Sequence, residues 1–143
     1  MGSEHAACVD RLSDVLGRLL RSQVIVRVQN PIRLSAYSEP QPEVALVRRR
    51  PDYYRTGHPG PEDILLVVEV ADTSVEQDRR KIVLYGRAGI PEAWLVDLTR
   101  ATVEVYKCPA PRGYDDVLVL RRGQPLTLQA FPDLRLSTDD ILG

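Results

Sequence analysis

Three residues of this chain combine a type and a setting that could do chemistry. Glu69 sits near the end of Ile64-Leu65-Leu66-Val67-Val68-Glu69-Val70, the most apolar stretch of the sequence. An ionised carboxylate there is costly unless a cation binds it, an arginine pairs with it, or the strand end is already wet. Glu43 follows Pro42 at the head of a second apolar run, where it is either a solvated edge charge or a ligand. Lys81 stands out by composition, because of the 19 basic residues only Lys81 and Lys107 are lysine. Its compact ammonium can hold or polarise a water where a planar guanidinium would not. Two acids and a lysine brought to one place could hold a hard divalent cation and position a nucleophile. The competing reading leaves Lys81 on a helix surface, paired with Asp78 three residues earlier.

Whether these residues meet depends on the elements that carry them. The unalternating apolar run at 64–70 reads as a central strand covered on both faces. Thr73 and Glu76 have the spacing of a capping box, and Gly89 and Pro91 close the helical pattern, so a helix spans 74–88 with Asp78, Lys81 and Tyr85 on one face. A helix starting from the end of the Glu69 strand can fold its first turns over that strand end, within reach of the carboxylate. Ala6, Val9, Leu12, Val15, Leu16, Leu19 and Leu20 mark an amphipathic helix over 4–21. Val24, Val26 and Val28 predict a strand that turns at Asn30-Pro31 into a hairpin partner at 32–34, and a further strand covers 43–47. Residues 92–97 and 102–106 form a hairpin about Leu98-Thr99-Arg100-Ala101, and two more short strands lie near 116–120 and 125–129. The 143 residues fit one α/β domain over 1–143, a mixed sheet with one helix before it and one within it.

Composition and motifs narrow the function. With 43% hydrophobic and 27% charged residues the chain is globular, and no apolar run approaches a membrane span. No secretory leader pattern opens it, so a cytoplasmic location is the default. A net charge of −1 is not that of a protein that coats nucleic acid. Any phosphate backbone would be gripped locally, and Arg48, Arg49, Arg50 and Arg55 in the long segment 48–61 are the candidates, a merely solvated loop being the alternative. Cys8 and Cys108 have no CxxC partner and read as free thiols. His5 and His58 form no zinc or triad motif, and the glycines make no phosphate-binding loop. Trp94 reads as core, whereas Tyr53, Tyr54 and Tyr85 could stack bases.

Taken together, Pro42-Glu43-Val44-Ala45-Leu46-Val47, Leu66-Val67-Val68-Glu69-Val70, Asp72-Thr73-Ser74, Asp78 through Lys81 to Tyr85, and Gly89-Ile90-Pro91-Glu92-Ala93-Trp94-Leu95-Val96-Asp97 resemble the Uma-two restriction-endonuclease family of the PD-(D/E)XK nuclease superfamily. The resemblance spans nearly the whole chain and implies a restriction-endonuclease-like α/β core. It implies Glu43 as the first motif acid, where the family usually has aspartate, Glu69 as the second, and Lys81 as the motif lysine moved into the following helix, with Ala71 at the usual lysine position. The family's usual N-terminal segment is not seen before the first helix. The implied activity is a metal-dependent endonuclease acting on DNA, with Mg²⁺ or Mn²⁺ held by Glu43, Glu69 and the Val70 carbonyl. The alternative is an inactive descendant that binds nucleic acid or a protein partner. A duplex cutter needs two active sites, so a homodimer is expected, through helix one or the apolar residues between Tyr114 and Leu128.

Overall fold

A computed structural model describes residues 2–143. Its centre is a six-stranded sheet in the order β1-β2-β3-β4-β5-β6, formed by Val24–Val28, Val44–Arg48, Ile64–Ala71, Glu92–Asp97, Thr102–Ala110 and Gly113–Arg121. All neighbours are antiparallel except β3 and β4, which run parallel because helix α2 (Val75–Arg87) makes the crossover between them. β3 is buried along nearly its whole length, as its apolar run requires.

The two faces of the sheet have separate cores. Helix α1 (Ser3–Leu20) packs Leu12, Leu16 and Leu20 on one face against Leu46, Leu66, Val68 and Trp94. On the other, α2 packs Ile82 and Tyr85 against Ala45, Val67 and Leu95. Alternation along β3 therefore sends Val68 and Val70 toward α1, and Val67, Glu69 and Ala71 toward α2. Gly86 lets α2 lie this close to the sheet, since a methyl group there would collide with the Gly113 backbone at the start of β6. A two-stranded sheet of β7 (Pro125–Leu128) and β8 (Phe131–Ser137), with helix α3 (Thr138–Leu142), closes the α1 face by burying Leu126, Leu128, Leu136 and Ile141.

Several elements differ from the sequence reading. Residues 32–34 are not the hairpin partner of β1, which pairs instead with β2. The backbone N–H groups of Ile32 and Arg33 donate to the carbonyls of Pro40 and Pro59 across the loop. The capping box at Thr73 does not form, because the helix starts one residue later, with Ser74 as N-cap and no side-chain cap bond. β5 and β6 each run nine residues, and β8 and α3 were not expected. Their signal is weak, since Pro132 interrupts β8 and α3 has five residues. No helix among the described residues is long and apolar enough to cross a membrane.

Candidate active site

The antiparallel register of β2 and β3 pairs Val44 with Val68, so one step further Glu43 stands beside Glu69 at the end of the sheet. Like charges facing across strands repel, so this arrangement calls for a compensating cation. The start of α2 passes over the same strand end and brings Asp78, Lys81 and Tyr85 to it. Lys81 Nζ lies 3.6 Å from Asp78 Oδ1, with the lysine side chain 46% exposed. That pair is worth at most about 1 kcal/mol, too little to count as a structural reason for the lysine.

Glu69 itself is 1% exposed. Its Oε2 accepts a hydrogen bond from the Tyr85 hydroxyl. Burial pushes the carboxyl up, the Tyr85 bond and the Lys81 charge pull it down, and Asp78 and Glu43 push it up again, leaving it at about 7. The same balance lifts Asp78 above its ordinary value, burial being the main cause and Lys81 opposing it. Burial and the charge of Glu69 drive the Tyr85 hydroxyl well above the usual phenol range, so it stays a donor.

His5 is the residue that sequence reasoning passed over as bland. It is buried, and its Nε2 lies 3.0 Å from the Val70 carbonyl oxygen and 3.6 Å from Glu43 Oε1. A carbonyl only accepts, so Nε2 carries the proton. Nδ1 is buried without a partner. Gln29 Nε2 donates to the other oxygen of Glu43 at 3.0 Å. A signal for His5 was present in the sequence, for it falls on the apolar stripe of α1 with Val9, Leu12 and Leu16.

These groups surround a cleft of about 480 Å³ whose walls include His5, Glu43, Val70, Asp78 and Lys81. Glu69 is not on the wall but beneath it. Among the described residues no three His, Cys, Asp or Glu side chains gather closely enough to hold a metal ion by themselves. The oxygens present are nevertheless hard donors, and the carboxylates of Glu43, Glu69 and Asp78 outnumber the one lysine, so the set fits a divalent cation in kind, with the Val70 carbonyl as the remaining donor.

The other sequence candidates lie elsewhere. Arg48 is the last residue of β2, roughly 16 Å from Glu43 at strand rise, and Arg49, Arg50 and Arg55 follow it. Arg48 Nε donates to the Glu62 carbonyl, and Arg49 donates to that of Arg21. Arg50 pairs with Asp52 at 2.8 Å and stacks over Tyr54, whose hydroxyl bonds the Arg48 carbonyl. Arg55 is exposed. The structure thus brings Glu43, Glu69, Val70 and Lys81 together and leaves the arginines apart. Trp94 is core, fully buried, with its indole N–H donating to Glu92. Cys8 and Cys108 are free, and burial pushes the Cys8 thiol up to about 11.

Comparison with known proteins bears on the fold and the family. No curated protein matches the chain. Five solved chains do. One is a protein from Anabaena variabilis ATCC 29413, solved at 1.96 Å and described as a putative nuclease belonging to DUF820, 15% identical in sequence, with a TM-score of 0.77 over 99% of this chain and 82% of that one. That likeness establishes the fold. The family model described as "Uma2: Putative restriction endonuclease" matches residues 1–139. With a match over nearly its whole length, the chain belongs to the Uma2 restriction endonuclease family.

Proposed function

We propose that this protein is a divalent-metal-dependent endonuclease that hydrolyses phosphodiester bonds in DNA. The observation that carries the reading is the convergence of Glu43, just before β2, with Glu69 of β3, and of Lys81 from α2 over them. Glu43, Glu69 and the Val70 carbonyl would hold Mg²⁺ or Mn²⁺, and the ion, when bound, supplies a Lewis acid for the scissile phosphate. The chain's own residues do the rest. Lys81 reaches into the cleft from an exposed position, where its ammonium orients a water and balances charge on the phosphate. Asp78 restrains Lys81, and His5 restrains both the Val70 carbonyl and Glu43. Tyr85 fixes one oxygen of Glu69 and leaves the other free. Arg48, Arg49, Arg50 and Arg55 would contact the phosphate backbone away from the point of cleavage.

A second reading has an observation in its favour. Glu69 lies beneath the cleft wall and is held by Tyr85, as in a nuclease fold kept for binding nucleic acid or a protein partner without cutting. Cleavage of supercoiled plasmid in Mg²⁺ or Mn²⁺ decides between them. The enzyme reading expects nicks or breaks in the wild type, abolished by EDTA and by Lys81→Ala. Plasmid binding that is indifferent to metal, with no cleavage by the wild type, would establish the binding module instead.

A further inference from the structure

Strand β6 ends the six-stranded sheet, so one of its backbone edges has no strand partner among the described residues. Edges of this kind are normally blunted by proline, lysine or a covering element. Here Val117, Leu118 and Val119 are consecutive and 49%, 56% and 49% exposed, and the strand contains neither proline nor lysine. The register with β5 explains why both faces are open. Leu118 lies opposite Val105 on the α1 side, and Val117 and Val119 lie opposite Tyr106 and Glu104 on the α2 side. The other apolar residues of this region are not available for docking, because Leu120, Leu126 and Leu128 are buried in the monomer's own core.

We infer that β6 is a homodimer interface, pairing antiparallel with the same strand of a second copy about a two-fold axis at Leu118. Side chains directly opposite in an antiparallel pair point to the same face, so a two-fold axis normal to the sheet must pass through a residue facing its own copy. Centred on Leu118, that axis sets Leu118 against the partner's Leu118, and Val117 against the partner's Val119. The same register sets Asp115 against the partner's Arg121 on both sides of the apolar centre. Among the described residues neither Asp115 nor Arg121 has an ion-pair partner. Centring on Val117 would put Asp115 and Asp116 against valine and leucine, and centring on Val119 would put Arg121 against valine and pair Asp116 with Arg122, which lies outside β6 and already donates to the Gly143 carbonyl. Centring on Leu118 leaves one charge unmatched, Asp116 opposite Leu120. Charge complementarity therefore points to a second copy of this chain as the occupant, and the Leu118 register is the one whose matched charges both lie within β6. The inference does not depend on the nuclease reading.

Sedimentation equilibrium across the micromolar range tests it. The wild type is expected to be dimeric at about 50 µM, the range in which a modest specific interface associates. Leu118→Arg, an exposed position in the monomer, should give a monomer with unchanged circular dichroism and melting temperature. Asp115→Arg and Arg121→Asp should each weaken dimerisation about tenfold or more, and the double variant should recover to within about threefold, because only this register exchanges those two residues. A monomeric wild type, a dimer that survives Leu118→Arg, or single charge reversals that the double variant fails to rescue would each overturn the proposal. A dimer that pairs through some other strand would also count against it.

Discussion

Glu69 on β3 and Glu104 on β5 are both buried carboxylates facing α2, and they are compensated in opposite ways. Glu104 meets the guanidinium of Arg79 through two hydrogen bonds, one of 2.7 Å, and also accepts from the Tyr106 hydroxyl. Burial pushes its carboxyl up, but the bonds and charge of Arg79 outweigh that and leave it below its ordinary value. Glu69 has only a tyrosine hydroxyl in contact and the more distant Lys81, with Asp78 and Glu43 adding repulsion, and it rests at about 7. One carboxylate is matched by a planar fork and has no capacity left for a ligand. The other is left short of positive charge beside an open cleft, which gives it reason to take a cation.

The largest effect expected from breaking this contrast is on activity at the Glu69 end. Lys81→Ala should lower cleavage by about 10² to 10³ fold, the usual contribution of a positioned proton-handling or charge-stabilising group. Its stability should move by no more than about 0.5 kcal/mol, because a half-exposed pair is lost. Single-turnover cleavage together with urea unfolding checks both halves. The mirror-image change is Arg79→Met, which leaves Glu104 buried without a cation, held only by the Tyr106 hydroxyl. It should destabilise the fold by about 3 kcal/mol and leave cleavage per folded molecule within about twofold.

Glu69 also gives the protein a pH signature. Its carboxyl is raised in the fold from an ordinary 4.5 to about 7, so the protonated form favours folding. That contribution is complete below about 4.5 and is lost as pH rises through about 7, a change of roughly 3 kcal/mol at about 1.4 kcal/mol per unit. Urea unfolding in EDTA should show the slope in the wild type and not in Glu69→Gln. Added Mn²⁺ at pH 7.5 should restore stability to the wild type alone. A smaller effect belongs to His5, whose N–H steadies the Val70 carbonyl. His5→Ala should weaken Mn²⁺ binding about tenfold, the scale of an outer support, and His5→Gln should recover part of it.

What the sequence made legible follows from the range of the forces involved. The apolar run at 64–70 and the spacing of Asp78, Lys81 and Tyr85 were local signals strong enough to place Glu69 under α2. Glu43 and Lys81 were singled out from the strand at 43–47 and from the same helix, and the roles proposed for them come from the family resemblance. His5 was missed because its partner, Val70, lies 65 residues away, and only its place on an apolar stripe hinted at burial. The hairpin expected at Asn30-Pro31 failed for the complementary reason. The local turn signal there was real, but β1 gained a full ladder by pairing with β2 across the loop, where 32–34 offered three residues. The arginines of 48–50 read as one basic patch, yet the fold turns each toward a different acceptor, which composition cannot register.

The central claim is that the Glu43–Glu69 end of the sheet is a metal site served by Lys81. Isothermal calorimetry with Mn²⁺ at pH 7.5 tests it most directly, using wild type, Glu69→Gln and Lys81→Ala. The account predicts saturable binding by the wild type, loss of about 100-fold or more in affinity in Glu69→Gln, and affinity within about threefold of wild type in Lys81→Ala, which removes no ligand. No saturable binding by the wild type, or equal binding by wild type and Glu69→Gln, would contradict it.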